Sequence, residues 1–292
     1  MKIKGIDVSR YQGIINWTKV KASDISFAIL KAGGSDAGFY TDSKFEQNYA
    51  NAKAAGMPVG AYYFVGSGCV SHADGVADAK RFIEILKGKQ FEYPVYIDVE
   101  ATSPDNRSGA TKAVIGFCET MEAAGYYCGI YASDISGFVD RLDQSQLKDY
   151  DKWVARYGSA PQRTESYGMW QYSESGTVPG IPDTVDMDYC YIDYPTIMKE
   201  KGLNGYGTPV QPPIKTEITD TVKIKILIEG DSGTAVKKMQ TLLIGSGYDC
   251  GASGADGKFG QATAKSLEKF QNDNHLKADK ICGAQTWAAL LN

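Results

Sequence analysis

Short runs of β-branched and aromatic residues alternate with helical stretches over the first two hundred residues, and this pattern constrains the fold most. Eight runs are candidate strands: residues 4–8, 26–32, 59–65, 94–99, 126–131, 152–156, 169–172 and 185–191. The first five are separated by segments long enough for helices, such as 43–55, 73–86 and 110–124. Strands alternating with helices indicate parallel pairing, so eight of them predict an α/β fold: an irregular eight-stranded β/α (TIM-like) barrel with a less regular final portion.

An open, doubly wound sheet is the alternative to a barrel for this pattern. Such sheets usually carry the phosphate-binding pattern G-x-G-x-x-G directly after the first strand. The chain instead reads Val8-Ser9-Arg10-Tyr11-Gln12-Gly13 at that place. The sequence therefore favours the barrel.

A linker and a second domain are predicted after the barrel. Three prolines and three glycines interrupt residues 202–222, which indicates an extended connection. Beyond it, apolar residues recur at helical spacing in 234–243, 262–270 and 284–291. We expect a catalytic barrel in 1–201, a linker in 202–222 and a small all-α domain in 223–292.

Composition and charge exclude several classes of protein. With 43% hydrophobic and 23% charged residues, the chain is typical of folded globular proteins. The formal net charge of −4 argues against a nucleic-acid binder. No apolar run approaches the ~20 residues of a membrane span, so no membrane insertion is expected. The first residues turn polar too soon for a secretory signal, so we expect none.

Histidine and cysteine usage leaves little room for metal chemistry. Only His72 and His275 occur, and neither H-E-x-x-H nor paired C-x-x-C is present. We therefore expect no metal and no cofactor. The six cysteines are expected to be buried free thiols, although Cys250 and Cys282 are able to pair if the tail works in an oxidising place.

Acidic residues fall repeatedly at the ends of predicted strands: Asp7, Asp98, Glu100, Asp186 and Asp188. In a parallel barrel these ends meet on one face, where active sites are built. Asp98 and Glu100 are two apart on a strand, so their side chains leave on the same side, ~7 Å apart at the backbone. This spacing suits a glycosidase pair, in which one carboxyl keeps its proton and the other stays ionised. The alternative is that some of these acids cap helices or bind a cation.

Eight motifs along this part of the chain resemble those of glycoside hydrolase family 25, in the same order. The motifs are Gly5-Ile6-Asp7-Val8-Ser9-Arg10-Tyr11-Gln12-Gly13, Ala28-Ile29-Leu30-Lys31-Ala32, Gly60-Ala61-Tyr62-Tyr63-Phe64, Ile97-Asp98-Val99-Glu100, Gly129-Ile130-Tyr131, Trp153-Val154-Ala155-Arg156-Tyr157, Trp170-Gln171-Tyr172 and Val185-Asp186-Met187-Asp188. The resemblance implies an N-acetylmuramidase that cuts the β-1,4 bond between N-acetylmuramic acid and N-acetylglucosamine, with bacterial peptidoglycan as its partner. It leaves the oligomeric state open.

The resemblance also implies roles for the acids. Glu100 matches the general acid/base, and Asp98 matches the group that steadies the transition-state charge or an oxazolinium ion formed by the substrate's 2-acetamido group. Spacing does not decide whether Asp98 instead attacks as a nucleophile, and net retention is the expectation for both routes. Asp7 and Asp186 match two further family acids. Asp188 stands where many relatives carry Asn, so it ranks below Asp186.

Aromatic and basic residues near the same strand ends are candidates for sugar binding. The candidates are Tyr62, Phe64, Tyr131 and Trp170, with Lys31 and Arg156 as polar contacts and Asp188 as a weaker one. Flat apolar faces with polar tips suit the C–H faces of sugar rings. The alternatives are that the aromatics fill the barrel and that the two cations pair with the acids.

The tail carries a second resemblance, to the three-helix peptidoglycan-binding domain. The matching residues include Gly230-Asp231-Ser232-Gly233, Asp256-Gly257-Lys258-Phe259-Gly260, Thr263, Phe270-Gln271 and Thr286-Trp287. The whole arrangement resembles a phage endolysin, held in host cytoplasm before it reaches the wall, or an exported autolysin. Two other functions are weighed: a chitinase-like glycosidase, whose Asp-x-x-Asp-x-Asp-x-Glu run is missing, and a non-catalytic cell-wall-binding protein.

Overall fold

The computed structural model describes residues 2–164, 166–207, 226–274 and 276–290. The chain divides into two compact units, Met1–Pro212 and Pro213–Asn292. Of the predicted linker, residues 208–222 lie outside the described part, as does His275. No helix in the described ranges has the length and apolarity needed to cross a membrane.

Nine strands form one sheet in the first unit. They are β1 (Ile3–Val8), β2 (Phe27–Gly34), β3 (Tyr40–Thr41), β4 (Val59–Phe64), β5 (Val95–Asp98), β6 (Cys128–Ser133), β7 (Asp151–Ala155), β8 (Met169–Gly176) and β9 (Val185–Cys190). The order is β1-β9-β8-β7-β6-β5-β4-β2-β3, and pairing of β1 with β2 closes the barrel. The predicted eight-stranded barrel is confirmed; β3, a two-residue strand on the end of β2, is too short to leave a periodic signal.

The last strand differs from the expected parallel pairing. β9 runs antiparallel to both β8 and β1, whereas the other neighbours around the barrel are parallel. The connection 177–184 is shorter than the dozen or so residues that a parallel crossover needs. Because β9 is reversed, its first residues lie at the end of the barrel where the other strands finish. Asp186 therefore stands directly opposite Asp7 in the β1–β9 register.

Five helices accompany the barrel: α1 (Trp17–Lys21), α2 (Phe45–Ala54), α3 (His72–Leu86), α4 (Arg107–Ala123) and α5 (Tyr194–Lys201). The three predicted helices correspond to α2, α3 and α4. Helix α3 begins at Ser71, whose hydroxyl accepts the backbone N–H of Asp74. Glycines allow α3 and α4 to approach closely, since a Cβ on Gly75 would lie 1.9 Å from the Ala113 carbonyl oxygen.

Two apolar clusters stabilise the barrel, one between the strands and the surrounding helices and one inside the barrel. Outward-facing strand residues pack against the helices, and inward-facing ones form an aromatic plug. In the plug Phe27 stacks on Tyr93 at 4.4 Å, and Tyr96 packs against Trp153 at 5.2 Å between ring centroids. Large rings fill the lower interior, so polar inward-facing residues cluster near the other end, where the strands other than β9 finish.

Residues 202–207, assigned to the linker from composition, pack on the barrel instead. Asn204 is fully buried, its Nδ2 donates to the Tyr93 carbonyl at 2.8 Å, and its Oδ1 accepts the Tyr127 N–H at 2.8 Å. A Cβ on Gly205 would lie 2.3 Å from the Lys89 carbonyl oxygen. Composition signals a break in periodicity, but it does not show that a short turn is anchored by one buried amide.

The second unit contains α6 (Thr234–Gly245), α7 (Gln261–Asp273) and α8 (Ala284–Leu290) around their own apolar cluster. The predicted three-helix domain is confirmed. All six cysteines in the chain are free and buried, including Cys250 and Cys282.

Two buried glutamines reveal an internal repeat that the sequence analysis missed. Gln240 Nε2 donates to Asp256, the Lys258 carbonyl and Thr263, and its Oε1 accepts the Gly257 N–H. Gln271 makes the same four bonds to Asp279, Ile281, Thr286 and Lys280. Each glutamine therefore fastens the turn that precedes the next helix. The shared pattern Asp-x-x-x-Gly-x-x-Thr, at 256–263 and 279–286, is the signal that would have revealed it.

Gln240→Ala is expected to destabilise the tail unit by about 1–3 kcal/mol, because the buried Gly257 N–H loses its acceptor. Thermal unfolding of the full chain should show the tail transition moving to lower temperature while the barrel transition stays. Gln285→Ala, at an exposed position on α8, is the control and should leave both unchanged. Equal shifts in the two variants would contradict the anchoring role.

Candidate active site

Four of the predicted acids converge at the end of the barrel where the parallel strands finish. Asp7 lies near the end of β1, Asp98 ends β5, Glu100 follows two residues later, and Asp186 lies near the start of β9. All four line one cavity of about 180 Å³. Three sequence-distant segments thus place their carboxyls around a space that accommodates part of one sugar ring.

The acids lie at different depths in this cavity. Asp7 and Asp98 are 4% and 2% exposed, Asp186 is half-buried, and Glu100 is exposed at the mouth. Asp188 is fully buried outside the cavity lining, where it accepts the Trp153 indole N–H at 2.8 Å. A ligand in the cavity therefore meets Glu100 first and Asp98 behind it.

Burial raises the pKa of each of these acids. For Asp7, burial raises the pKa well above its usual range, the charges of Asp188 and Asp186 add to this, and the Gln171 amide opposes it. For Asp186, burial raises the pKa to about 6. Crowded carboxyls of this kind hold protons at pH values where exposed acids have lost them.

Asp98 and Glu100 form a coupled pair. Burial and the neighbouring Glu100 raise the pKa of Asp98 well above its usual range, while Lys31 acts against the rise. Burial also raises the pKa of Glu100, which the surrounding protein desolvates although the side chain reaches the surface. Two adjacent carboxyls that resist losing both protons supply one acid and one base, the arrangement that glycosidic cleavage uses.

Some of the predicted binding residues face this cavity and others do not. Tyr62 and Tyr131 line it. Lys31 is not in the lining; its ammonium lies 4.5 Å from the centroid of the Phe64 ring and 5.8 Å from that of Tyr62. Phe64 therefore lies against Lys31. The positive charge of Lys31 opposes the rise in the pKa of Asp98 and of Glu100.

Trp170 lies outside the cavity lining. Side chains alternate along a strand, and Gln171 faces the barrel interior, so Trp170 faces outward. Its ring packs against Tyr172 and Tyr189, and its indole N–H donates to the Arg156 carbonyl at 2.8 Å. Trp170 therefore packs on the outside of the strand and does not face the acids.

Arg156 lines a second cavity of about 600 Å³ that shares Glu100, Tyr131, Tyr157 and Glu174 with the first. Its guanidinium pairs with the buried Asp134 at 2.6 Å. Asp134 also accepts the backbone N–H groups of residues 162, 163 and 164. This carboxylate holds the loop after β7 in place, and the two cavities together form one groove across the acids.

Four lining residues were not predicted as site residues: Trp153, Tyr157, Gln171 and Glu174. The first three stand inside the motifs quoted above, but the motifs alone do not say which residues point inward. Alternation along β7 and β8 limits the choice to every second residue, but the acids lie on other strands and do not show which half points inward. Tyr157 and Glu174 lie at the rim, where strand alternation gives no guidance.

Asp188→Asn is expected to stabilise the chain at neutral pH while keeping the bond from Trp153. Burial raises the pKa of Asp188, so the folded state holds its proton more tightly than the unfolded chain does. The stabilising effect of that proton is complete below the unfolded pKa and is lost as pH rises through the folded pKa, at about 1.4 kcal/mol per pKa unit. The advantage of the variant should therefore grow with pH in unfolding series at pH 5 and 8. A constant difference would contradict a buried titrating carboxyl.

A comparison of the chain with protein families supports the reading of the barrel. The profile of glycosyl hydrolases family 25 matches residues 6–181, which is more than half of the chain. The chain belongs to glycosyl hydrolases family 25. Three of the four cavity acids, Asp7, Asp98 and Glu100, lie within the matched segment, and Asp186, on β9 of the same barrel, follows that segment by five residues.

Proteins similar to the barrel include a lysozyme, an endolysin and an autolysin by name. The autolytic lysozyme of Clostridium acetobutylicum is 31% identical over 187 residues, 64% of this chain and 55% of that protein. The CTP1L endolysin superposes with a TM-score of 0.58 at 26% identity, over 68% of this chain and 70% of that one. The modular autolysin LytC from Streptococcus pneumoniae, solved with a synthetic peptidoglycan ligand, superposes with a TM-score of 0.58 at 28% identity, over 65% and 47%. The match spans about half the length of the first of these relatives.

The tail matches a separate family. Residues 232–290 fit the family described as "Putative peptidoglycan binding domain". The match covers α6, α7 and α8 together with the two turns fastened by Gln240 and Gln271. No cluster of three or more potential metal ligands occurs among the residues that the structure describes.

Proposed function

We propose that the family 25 barrel is an N-acetylmuramidase, a lysozyme that hydrolyses the β-1,4 bond between N-acetylmuramic acid and N-acetylglucosamine in bacterial peptidoglycan. The observation that carries the proposal is the pair Asp98 and Glu100, one buried and one at the mouth of an acidic cavity. Family membership and the names of its relatives support the same substrate.

In this proposal Glu100 is the general acid. Its exposed position at the mouth brings its proton to the glycosidic oxygen of a strand lying in the groove, and its raised pKa keeps that proton toward neutral pH. After the leaving sugar departs, the same carboxylate takes a proton from the incoming water. Activity should then fall on the alkaline side as Glu100 loses its proton.

Asp98 stabilises the positive charge that develops on the sugar ring. It lies behind Glu100 in the same cavity, and each of the two carboxyls shifts the pKa of the other. Inverting enzymes hold their two carboxyls about 6.5–9.5 Å apart and retaining enzymes hold them closer, and we propose net retention for this adjacent pair. Either attack by Asp98 or participation of the substrate's 2-acetamido group gives retention.

Product analysis tests the proposed bond. Purified peptidoglycan is digested, the new reducing ends are reduced with borohydride, and the fragments are analysed by mass spectrometry. Reduced muramic acid ends are the expected result, and reduced glucosamine ends would show that the other bond is cut. If no bond is cut, the barrel is a binding protein. Proton NMR of the first product anomer distinguishes retention from inversion.

We propose that the tail unit binds the cell wall and raises the local concentration of the barrel on it. Deleting residues 223–292 is expected to weaken sedimentation of the protein with wall sacculi more than it lowers turnover of a soluble glycan fragment. The barrel should survive the deletion because its apolar clusters consist of its own residues. If the deletion lowers wall sedimentation and glycan turnover by the same factor, the two units do not act independently.

The proposed place of action is the bacterial cell wall, as part of phage release or of autolysis. The two roles differ in timing and not in chemistry. Deletion of the gene in a phage would block release of progeny in the first case, whereas deletion in a bacterium would leave daughter cells joined in the second.

A further inference from the structure

The amide of Gln171 is held by three side chains inside the barrel. Its Nε2 donates to Asp7 Oδ2 at 2.7 Å, and its Oε1 accepts the hydroxyls of Tyr131 at 2.8 Å and Tyr157 at 3.0 Å. Gln171 is 3% exposed and lies between Ala155 and Asp188 in the strand register. None of the roles discussed above includes this residue.

This arrangement determines the direction of every hydrogen bond at that wall. Because Oε1 faces both tyrosines, Nε2 must face Asp7. Each tyrosine hydroxyl has one proton, and both protons are directed at Gln171, so only oxygen lone pairs remain for a ligand. Asp7 receives an N–H on Oδ2, and this bond opposes the rise in its pKa that burial and the charges of Asp188 and Asp186 cause. The wall next to Glu100 thus offers acceptors.

We propose that Gln171 is a positioning residue that turns the hydroxyls of Tyr131 and Tyr157 so that this wall of the cavity accepts hydrogen bonds from a ligand. The wall then selects ligand groups that donate, such as the amide N–H and the hydroxyls of an N-acetylated amino sugar. The inference rests on the proposed function for the identity of that sugar. The orientation of Asp7, Tyr131 and Tyr157 follows from the hydrogen bonds alone.

Two variants separate this role from simple packing. Gln171→Glu has the same shape; its carboxylate accepts from both tyrosines but has nothing to donate to Asp7. When it is protonated, one oxygen again donates and the other accepts, as in glutamine. Gln171→Leu fills similar space and never donates. The titratable groups around position 171 are Asp7, Asp98, Glu100, Tyr131, Tyr157, Glu174, Asp186 and Asp188.

The first measurement is kcat/KM on a soluble glycan fragment between pH 5 and 8, for full-length variants relative to the unchanged chain at each pH. Gln171→Glu should lose most activity at pH 8 and recover as pH falls, by up to about tenfold per pH unit while the new carboxyl takes up its proton. Gln171→Leu should stay low by a constant factor. Parallel, pH-independent losses in both variants, or unchanged activity in both, would overturn the proposal.

A stability series gives a readout that does not require hydrolysis. The melting temperature of Gln171→Glu should fall further below that of the unchanged chain as pH rises, because a new buried carboxyl then loses its proton beside Asp7, whereas the deficit of Gln171→Leu should grow less, because that variant only loses the bond to Asp7. If the unchanged chain cuts no glycan, the proposed function fails, and this series still decides the role of Gln171. If the melting temperatures of the two variants fall equally with pH, the positioning role of Gln171 is wrong.

Tyr157 is exposed, so its substitution disturbs the fold less than a substitution at the buried position 171 and provides a second test. Tyr157→Phe should raise KM in the unchanged chain and have a smaller effect in the Gln171→Leu background, because the hydroxyl is no longer oriented there. Additive effects in this double-mutant cycle would show that Tyr157 and Gln171 act independently.

Discussion

Glu100→Gln is expected to lower kcat for peptidoglycan hydrolysis by about 10²–10⁴-fold, the usual contribution of general acid–base catalysis. Glutamine has the shape of the acid but no proton to give to the leaving oxygen. Binding should change little, since the side chain lies at the mouth and keeps its polar contacts with a ligand. The release of reduced muramic acid ends, followed by mass spectrometry, measures the loss.

Glu174→Gln is the matched control for this prediction. Glu174 is also an exposed glutamate that lines both cavities, and no role in proton transfer is proposed for it. The control should keep most of the activity. Similar losses in the two variants would show that the cavity needs its total negative charge and not one acid, and full activity in Glu100→Gln would remove Glu100 from the mechanism.

Asp98→Asn is expected to lower kcat by about 10²–10³-fold, the effect of removing one preorganised electrostatic partner of a transition state. Asparagine keeps the size of the side chain but has no carboxylate form that can face the oxocarbenium ion as it develops. The fold should gain stability at neutral pH, because the variant no longer buries a carboxyl with a raised pKa. Loss of activity together with a higher melting temperature is therefore the diagnostic result.

Asp188→Asn provides the control for Asp98→Asn. Both residues are buried carboxyls in the barrel interior, but Asp188 does not line the cavity. Asp188→Asn should gain stability and keep its activity. If it loses as much activity as Asp98→Asn, the two acids act as one charged cluster, and the specific role of Asp98 is wrong.

A third comparison distinguishes the two retaining routes for Asp98. A substrate whose 2-acetamido group is removed has no internal nucleophile. If Asp98 attacks the sugar, that substrate should still be cut by the unchanged chain; if the acetamido group attacks, the substrate should resist cleavage.

Much of the architecture follows from local patterns in the chain. Alternation of strand and helix signals predicts the barrel, because burial of one face at each element imposes its own period on the sequence. The same holds for the three tail helices. The rule that two residues separated by one on a strand share a side of the sheet places Asp98 and Glu100 together only in part, because β5 ends at Asp98 and Glu100 lies beyond it.

Other features depend on contacts between distant segments, which no local pattern contains. The reversal of β9 follows from a short connection, yet its effect, the pairing of Asp186 with Asp7, exists only in the closed barrel. The anchoring of Asn204 likewise becomes visible only as hydrogen bonds to segments far apart in the chain.

The sequence by itself determined the two units, the strands and the acids that end them, because backbone periodicity and side-chain chemistry are local properties. Only the tertiary structure decided which side chains share the cavity. It placed Gln171 inside and Trp170 outside, though they are neighbours in one motif. It also set the order of depth from Glu100 to Asp98 to Asp188, and with it the desolvation that raises each pKa, because burial depends on the packing of the whole barrel.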